Sequence, residues 1–146
     1  MEKSAGGFPL PCACANLRRA ARIVTQRYDD ELRPVGIRAT QFTLLQALDQ
    51  AKKISQGRLG ELLGIDSTTL TRTLLLLRRR GWIQPQEGND RRQVCLTLTP
   101  KGERAYRHAR PYWSSAQKKL RRDLGRADWK WIMESTVRTA ALARTN

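Results

Sequence analysis

The chain has 146 residues, 40% of them hydrophobic and 28% charged, a balance that supports one compact core and excludes a disordered chain. Its 28 Lys and Arg outweigh 13 Asp and Glu to give a net charge of +15, which draws polyanions: nucleic acid first, an anionic membrane surface second. Solubility alone would not need so one-sided an excess. No apolar run reaches the ~18 residues of a membrane span. Ala13-Cys14-Ala15 mimics a signal-peptidase site, but Pro9 and Pro11 break the short apolar run before it and Glu2-Lys3 is no positive head, which argues against a leader. Three cysteines make no disulfide framework and fit a reducing, cytoplasmic setting.

Residues 1–11, with Gly6-Gly7 and two prolines, read as a flexible arm. From Cys12 or Asn16 to Leu32, the spacing of Leu17, Ala20, Ala21, Val24, Tyr28 and Leu32 predicts an amphipathic helix that Arg33-Pro34-Val35-Gly36 stops. A second helix runs from Thr40 to Ala51 with Phe42, Leu45 and Leu48 inward. Ser55 caps a short third helix carrying Leu59, Leu62 and Leu63 and ended by Gly64. Asp66 caps a fourth through Arg80, with Leu70, Leu74 and Leu77 inward and Gly81 closing it. Then the period changes. Trp82-Ile83-Gln84 and Val94-Cys95-Leu96-Thr97-Leu98 read as two strands around a polar turn, Glu87 to Arg92. Thr99-Pro100 opens a long helix through Tyr106, Trp113 and Leu120 to a break near Gly125, and a last helix carries Trp129, Ile132, Met133, Val137 and Leu142.

Helix, short turn, helix and hairpin is the order of a winged helix-turn-helix, in which the third helix braces the fourth and the fourth enters the major groove of DNA. With its leucines inward, the fourth helix keeps Ser67, Thr68, Thr71 and Arg72 on another face. Small hydroxyls allow close approach, and the planar arginine fork suits guanine or phosphate. The bland reading is capping and solvated surface; the sequence context favours the functional one. At the hairpin tip, Gly88-Asn89-Asp90-Arg91-Arg92, Asp90 is placed to hold Arg92 in a fixed pose for a narrow minor groove, against the alternative of a weak surface ion pair.

These residues together resemble the MarR family of regulators. The resemblance rests on Ile54-Ser55-Gln56 through Leu62-Leu63-Gly64-Ile65-Asp66, on Thr69-Leu70-Thr71-Arg72, on Arg80-Gly81-Trp82-Ile83, and on Asn89-Asp90-Arg91-Arg92 followed by Leu96-Thr97-Leu98-Thr99-Pro100-Lys101-Gly102. It implies a mainly α fold with a small β-hairpin wing: a winged helix-turn-helix over 37–99 flanked by dimerisation helices over 12–33 and 100–146, all in one domain. It further implies a homodimer, an imperfectly palindromic double-stranded site, and a small-molecule effector bound between the dimerisation and DNA-binding parts. Candidate DNA contacts are Ser55, Gln56, Ser67, Thr68, Thr69, Thr71, Arg72, Arg91 and Arg92, with Asp90 orienting Arg92. Leu75 and Leu76 depart from the family, which usually places polar residues there. Two readings stand: contact with thymine methyls, or packing on neighbouring structure.

Trp113, Trp129, Trp131, Ile132 and Met133 give the terminal helices a large apolar surface, suited to a dimer or to packing within one chain. Cys12 and Cys14, at a helix start with Arg18 one turn on, are candidate redox-sensing thiols; otherwise they are small half-buried residues without a role. A metal site from Cys12, Cys14, Cys95 and His108 is disfavoured: the Cys-x-Cys spacing is tight, the strand alternation at Cys95 suggests core or sheet packing, and His108 lies among arginines on a helix. A single histidine, no glycine-rich phosphate loop and no paired carboxylates predict neither an enzyme nor a cofactor. The sequence therefore predicts a dimeric, sequence-specific transcriptional regulator, a repressor released by a small molecule or a redox signal. The rival is a non-specific basic protein that coats nucleic acid, for which charge alone suffices.

Overall fold

The computed structural model describes residues 10–88 and 93–143. In chain order it contains α1 (Ala13–Leu32), a 3-10 turn (Arg33–Val35), α2 (Ala39–Ala51), β1 (Ile54–Ser55), α3 (Gln56–Leu63), α4 (Ser67–Arg79), β2 (Ile83–Glu87), β3 (Val94–Leu98) and α5 (Pro100–Leu142). The expected arm over 1–11 lies, up to residue 9, outside the described residues.

The predicted stops act as stops. Gly36, Gly64 and Gly81 all take a positive φ, between 64 and 70°, that a side chain would resist, and each ends a helical segment. Gly125 leaves the helical region altogether (φ 78°, ψ 170°) and turns α5 part-way along its length, at the break that the sequence predicts.

The sheet is larger than the expected hairpin. Its order is β1-β3-β2, all antiparallel, with Ile54 opposite Leu96 and Ser55 opposite Cys95. Two residues are too few to show alternation, so β1 left no periodic signal. The second strand runs Ile83–Glu87 rather than from Trp82, and Pro85 is tolerated within it because β2 is an edge strand with one paired side.

The core is continuous. Leu32 from α1, Phe42, Leu45 and Leu48 from α2, Leu59 from α3, Leu70, Leu74 and Leu77 from α4, Leu96 from β3 and Tyr106 from α5 are all buried in one cluster. Phe42 is its hub: Trp113 stacks on it at 5.5 Å and Tyr106 lies tilted at 5.3 Å. Trp113, expected to widen an apolar face of the terminal helices, therefore packs inward. Leu62 is 55% exposed, because α3 is short and offers the core only Leu59 and Leu63 of its leucines.

The first turn of α5 is anchored from two sides. Thr99 Oγ1 accepts from Gly102 N (3.0 Å) as a cap and donates to Gly81 O (2.6 Å), so the same hydroxyl holds the turn after α4. Gly102 lies so close to Trp82 that a Cβ there would sit 1.9 Å from the Trp82 carbonyl oxygen. Between α1 and α5 runs a polar seam: Arg27 pairs with Asp123, Glu31 with Lys119 and Ser115, and the Tyr28 hydroxyl donates to Gln117. Asp29 of α1 reaches forward to accept from Ala39 N (2.7 Å) and from Arg38 Nη1 (3.0 Å), capping α2 from outside the helix.

Candidate nucleic-acid interface

Three local features set the angle between α3 and α4. Ser55 caps α3, its hydroxyl accepting from Arg58 N at 3.3 Å. Gly60 lets the two helices meet, since a Cβ there would lie 3.1 Å from Ile65 O and 3.2 Å from Leu70 Cδ2. Asp66 caps α4 by accepting from Thr69 N at 2.9 Å. Its carboxyl is held below the usual carboxylate range, chiefly by the Thr69 hydroxyl and then by the Thr69 amide. A charged cap at this end also complements the helix dipole.

With Leu70, Leu74 and Leu77 buried, the residues on the opposite side of α4 follow from about 100° per residue. Thr68, Arg72, Leu75 and Arg79 fall on one outward stripe, Thr69 and Leu76 on one flank, Thr71 and Arg78 on the other. All are exposed. Gln56 Nε2 donates to Thr71 Oγ1 at 2.9 Å, tying the first residue of α3 to the second turn of α4. Among the described residues the Arg72 guanidinium has no acidic partner, so its fork is available. Arg80 is different: its Nη1 donates to Gly36 O at 2.7 Å and its guanidinium lies 4.7 Å from the Trp82 ring centroid, so it acts as a brace.

Of the predicted contacts, Ser67, Thr68, Thr69, Thr71 and Arg72 share the exposed half of α4, with Ser55 and Gln56 half-buried beside them at the start of α3. Asp90, Arg91 and Arg92 lie outside the described residues. The hairpin leads to them in register, Glu87 opposite Val94, with Gly88 N donating to Gln93 O at 3.3 Å. Arg79 was missed by the sequence reading. Its seven-residue spacing from Arg72 is the signal that places it on the same stripe.

Cys12 and Cys14 are both exposed, not half-buried. With Leu10, Arg18, Arg19 and Arg22 they line a shallow depression of about 330 Å³. Cys95 is buried on β3 next to the equally buried Leu96, so burial does not alternate there, and His108 is exposed, edge-on to Tyr112 at 6.2 Å. No group of three or more His, Cys, Asp or Glu among the described residues could hold a metal ion. No described helix is long and apolar enough to cross a membrane.

A helix braced by a shorter one, followed by an antiparallel hairpin, defines a winged helix-turn-helix protein. The sequence profile of the MarR family matches residues 37–94. The chain is 28% identical to the HTH-type transcriptional regulator YwoH of Bacillus subtilis over 62% of its own length and 66% of that protein's. It is 37% identical to the multiple antibiotic resistance protein MarR of Salmonella typhimurium over 59% of this chain and 63% of that one. The chain spans between 57% and 66% of the length of such curated relatives. Against the crystal structure of the M. tuberculosis transcriptional regulator MosR in complex with DNA, the likeness covers 90% of this chain and 96% of that one, at 34% identity and a TM-score of 0.80. This chain belongs to the MarR family.

Proposed function

We propose that this protein is a sequence-specific, double-stranded DNA-binding transcriptional regulator that works as a homodimer and represses until a small molecule or an oxidant releases it. One observation carries the reading: α4 presents Thr68, Thr71 and Arg72, which has no acidic partner among the described residues, on its exposed side while three leucines fix the opposite side in the core. The MosR relative, crystallised with DNA, supports it. In this reading 37–99 holds the DNA, with α4 in the major groove and Asp90, Arg91 and Arg92 at the wing. The flanking segments 12–33 and 100–146 supply the dimer. Trp131, Met133 and Val137, exposed beyond Gly125, fit that role, as do Leu17 and Ile23 on α1. Two copies would address half-sites about 34 Å apart, one helical turn, and so an imperfect palindrome.

Fragments selected from genomic DNA, compared with scrambled DNA at physiological salt, test the reading. Specific binding at least about a thousandfold tighter supports it, whereas equal affinities mean a non-specific coating protein. Sedimentation of Trp131→Glu tests the dimer: a shift to monomer supports it, an unchanged mass removes this face from the interface. For the oxidant, Cys12 and Cys14 would each lose a hydrogen to peroxide, forming a disulfide and two waters. Peroxide should then weaken operator binding of the parent and leave the Cys12→Ser, Cys14→Ser variant unaffected.

A further inference from the structure

Leu75 and Leu76 are 46% and 48% exposed on a helix whose other leucines are buried, and neither belongs to the core cluster. Among the described residues of one copy, neither therefore serves to fill the core. Leu75 falls between Arg72 and Arg79 on the outward stripe of α4, and Leu76 flanks it. We propose that this leucine pair is a thymine reader: the two side chains pack on the 5-methyl groups of thymines next to the base that Arg72 addresses. The inference rests on the regulator reading above.

The occupant follows from what surrounds the leucines. A protein partner covering them would also desolvate Arg72 and Arg79 and would have to supply their acceptors. The major groove provides both kinds of partner at once: acceptors on guanine and phosphate for the arginines, and an apolar methyl, which among the four bases only thymine carries. Reach agrees. Leu75 and Leu76 lie three and four residues beyond Arg72, about 4.5 and 6 Å along the axis, which is roughly one to two base-pair steps. Each half-site should thus hold a thymine within two steps of the guanine under Arg72, on either strand.

The test uses the full-length protein and its selected operator, with the half-site thymines replaced by deoxyuridine. This change removes the methyl and keeps the pairing edge. Affinity for the substituted operator should fall about fourfold for each contacted methyl, the fold-change that corresponds to one buried methyl group, and roughly fifteenfold when one in each half-site is lost. A Leu75→Ala, Leu76→Ala variant should bind thymine and deoxyuridine operators alike and still prefer both to scrambled DNA. Both positions are exposed, so its melting midpoint should stay near the parent's, and that is measured alongside. A parent that prefers its operator but does not distinguish the two bases overturns this inference alone. So does a variant that keeps the discrimination, or one that changes oligomeric state without DNA and leaves the discrimination intact. A parent that binds operator and scrambled DNA equally overturns the regulator reading first.

Discussion

The head from α2 to β3 and the helical ends around it treat apolar surface in opposite ways. In the head, with the start of α5, the large aliphatic and aromatic side chains close on Phe42, and no described residue beyond Ala116 is fully buried. In the ends, Leu17, Ile23, Trp131, Met133, Val137 and Leu142 stand exposed on α1 and on α5 past Gly125. The head has its own exceptions, Leu62, Leu75, Leu76 and Val94, and these sit on the helix-turn-helix and the wing. Burial thus separates three tasks along one chain. The core closes within a single copy, and on the reading proposed above the ends would meet a second copy and the exposed leucines of α4 would meet DNA.

The sharpest way to break this contrast is to overfill the head where it is tightest. Gly102→Ala puts a methyl against the Trp82 carbonyl oxygen, and both groups belong to backbone that cannot swing aside. Denaturant unfolding should show a loss of about 3 kcal/mol or more, because a close-packed junction does not absorb a new atom. A stable Gly102→Ala would mean that the first turn of α5 is held loosely, and the head would no longer differ from the ends. Next in size, Arg72→Ala should leave unfolding unchanged, since the side chain is exposed. It should weaken operator binding by about 1–3 kcal/mol per half-site and relax base preference there. Equal footprints from parent and variant would remove Arg72 from the interface. Thr99→Ala is smaller again. It loses both the α5 cap and the bond to Gly81 O, so about 1 kcal/mol of stability should go, with no change in base preference.

Much of the head was legible in the sequence because its signals are local. Ser55, Asp66 and Thr99 cap where they stand, Gly64 and Gly81 stop their helices, and leucines at three- and four-residue spacing fill the core face of α4. Signals that depend on distant partners were not legible. The partner of β1 is more than thirty residues away on β3, and the cap of α2 arrives from Asp29 on another helix. For Trp113 the sequence left a dimer face and packing within one chain both open, because the ring it stacks on, Phe42, lies on a distant helix. Leu62 keeps the helical spacing of a core residue, but the bulk of the core lies to one side of so short a helix. At the site, the residue types on α4 and the outward position of Leu75 were readable from the leucine spacing, whereas the Gln56–Thr71 bond needed the helix pair to be assembled.

The smallest expected effect concerns the polar seam between α1 and α5. Bonds from the Lys119 ammonium, and then from the Ser115 hydroxyl, hold the Glu31 carboxyl below its usual value, and Arg27 and Arg122 do the same for Asp123. A carboxylate with a depressed value in the folded state stabilises the fold wherever the unfolded chain would also be ionised, above about pH 4.3 for Glu. As pH falls through the folded value, both states become protonated and the contribution vanishes. The parent should therefore melt slightly above Glu31→Gln at pH 7, and the gap should close as pH drops below about 4. Both partners are partly exposed, so added salt should narrow the gap at pH 7 as well. A gap that stayed constant from pH 7 to pH 3 would assign the effect of the substitution to packing rather than charge, and the α1–α5 seam would then be an extension of the apolar core.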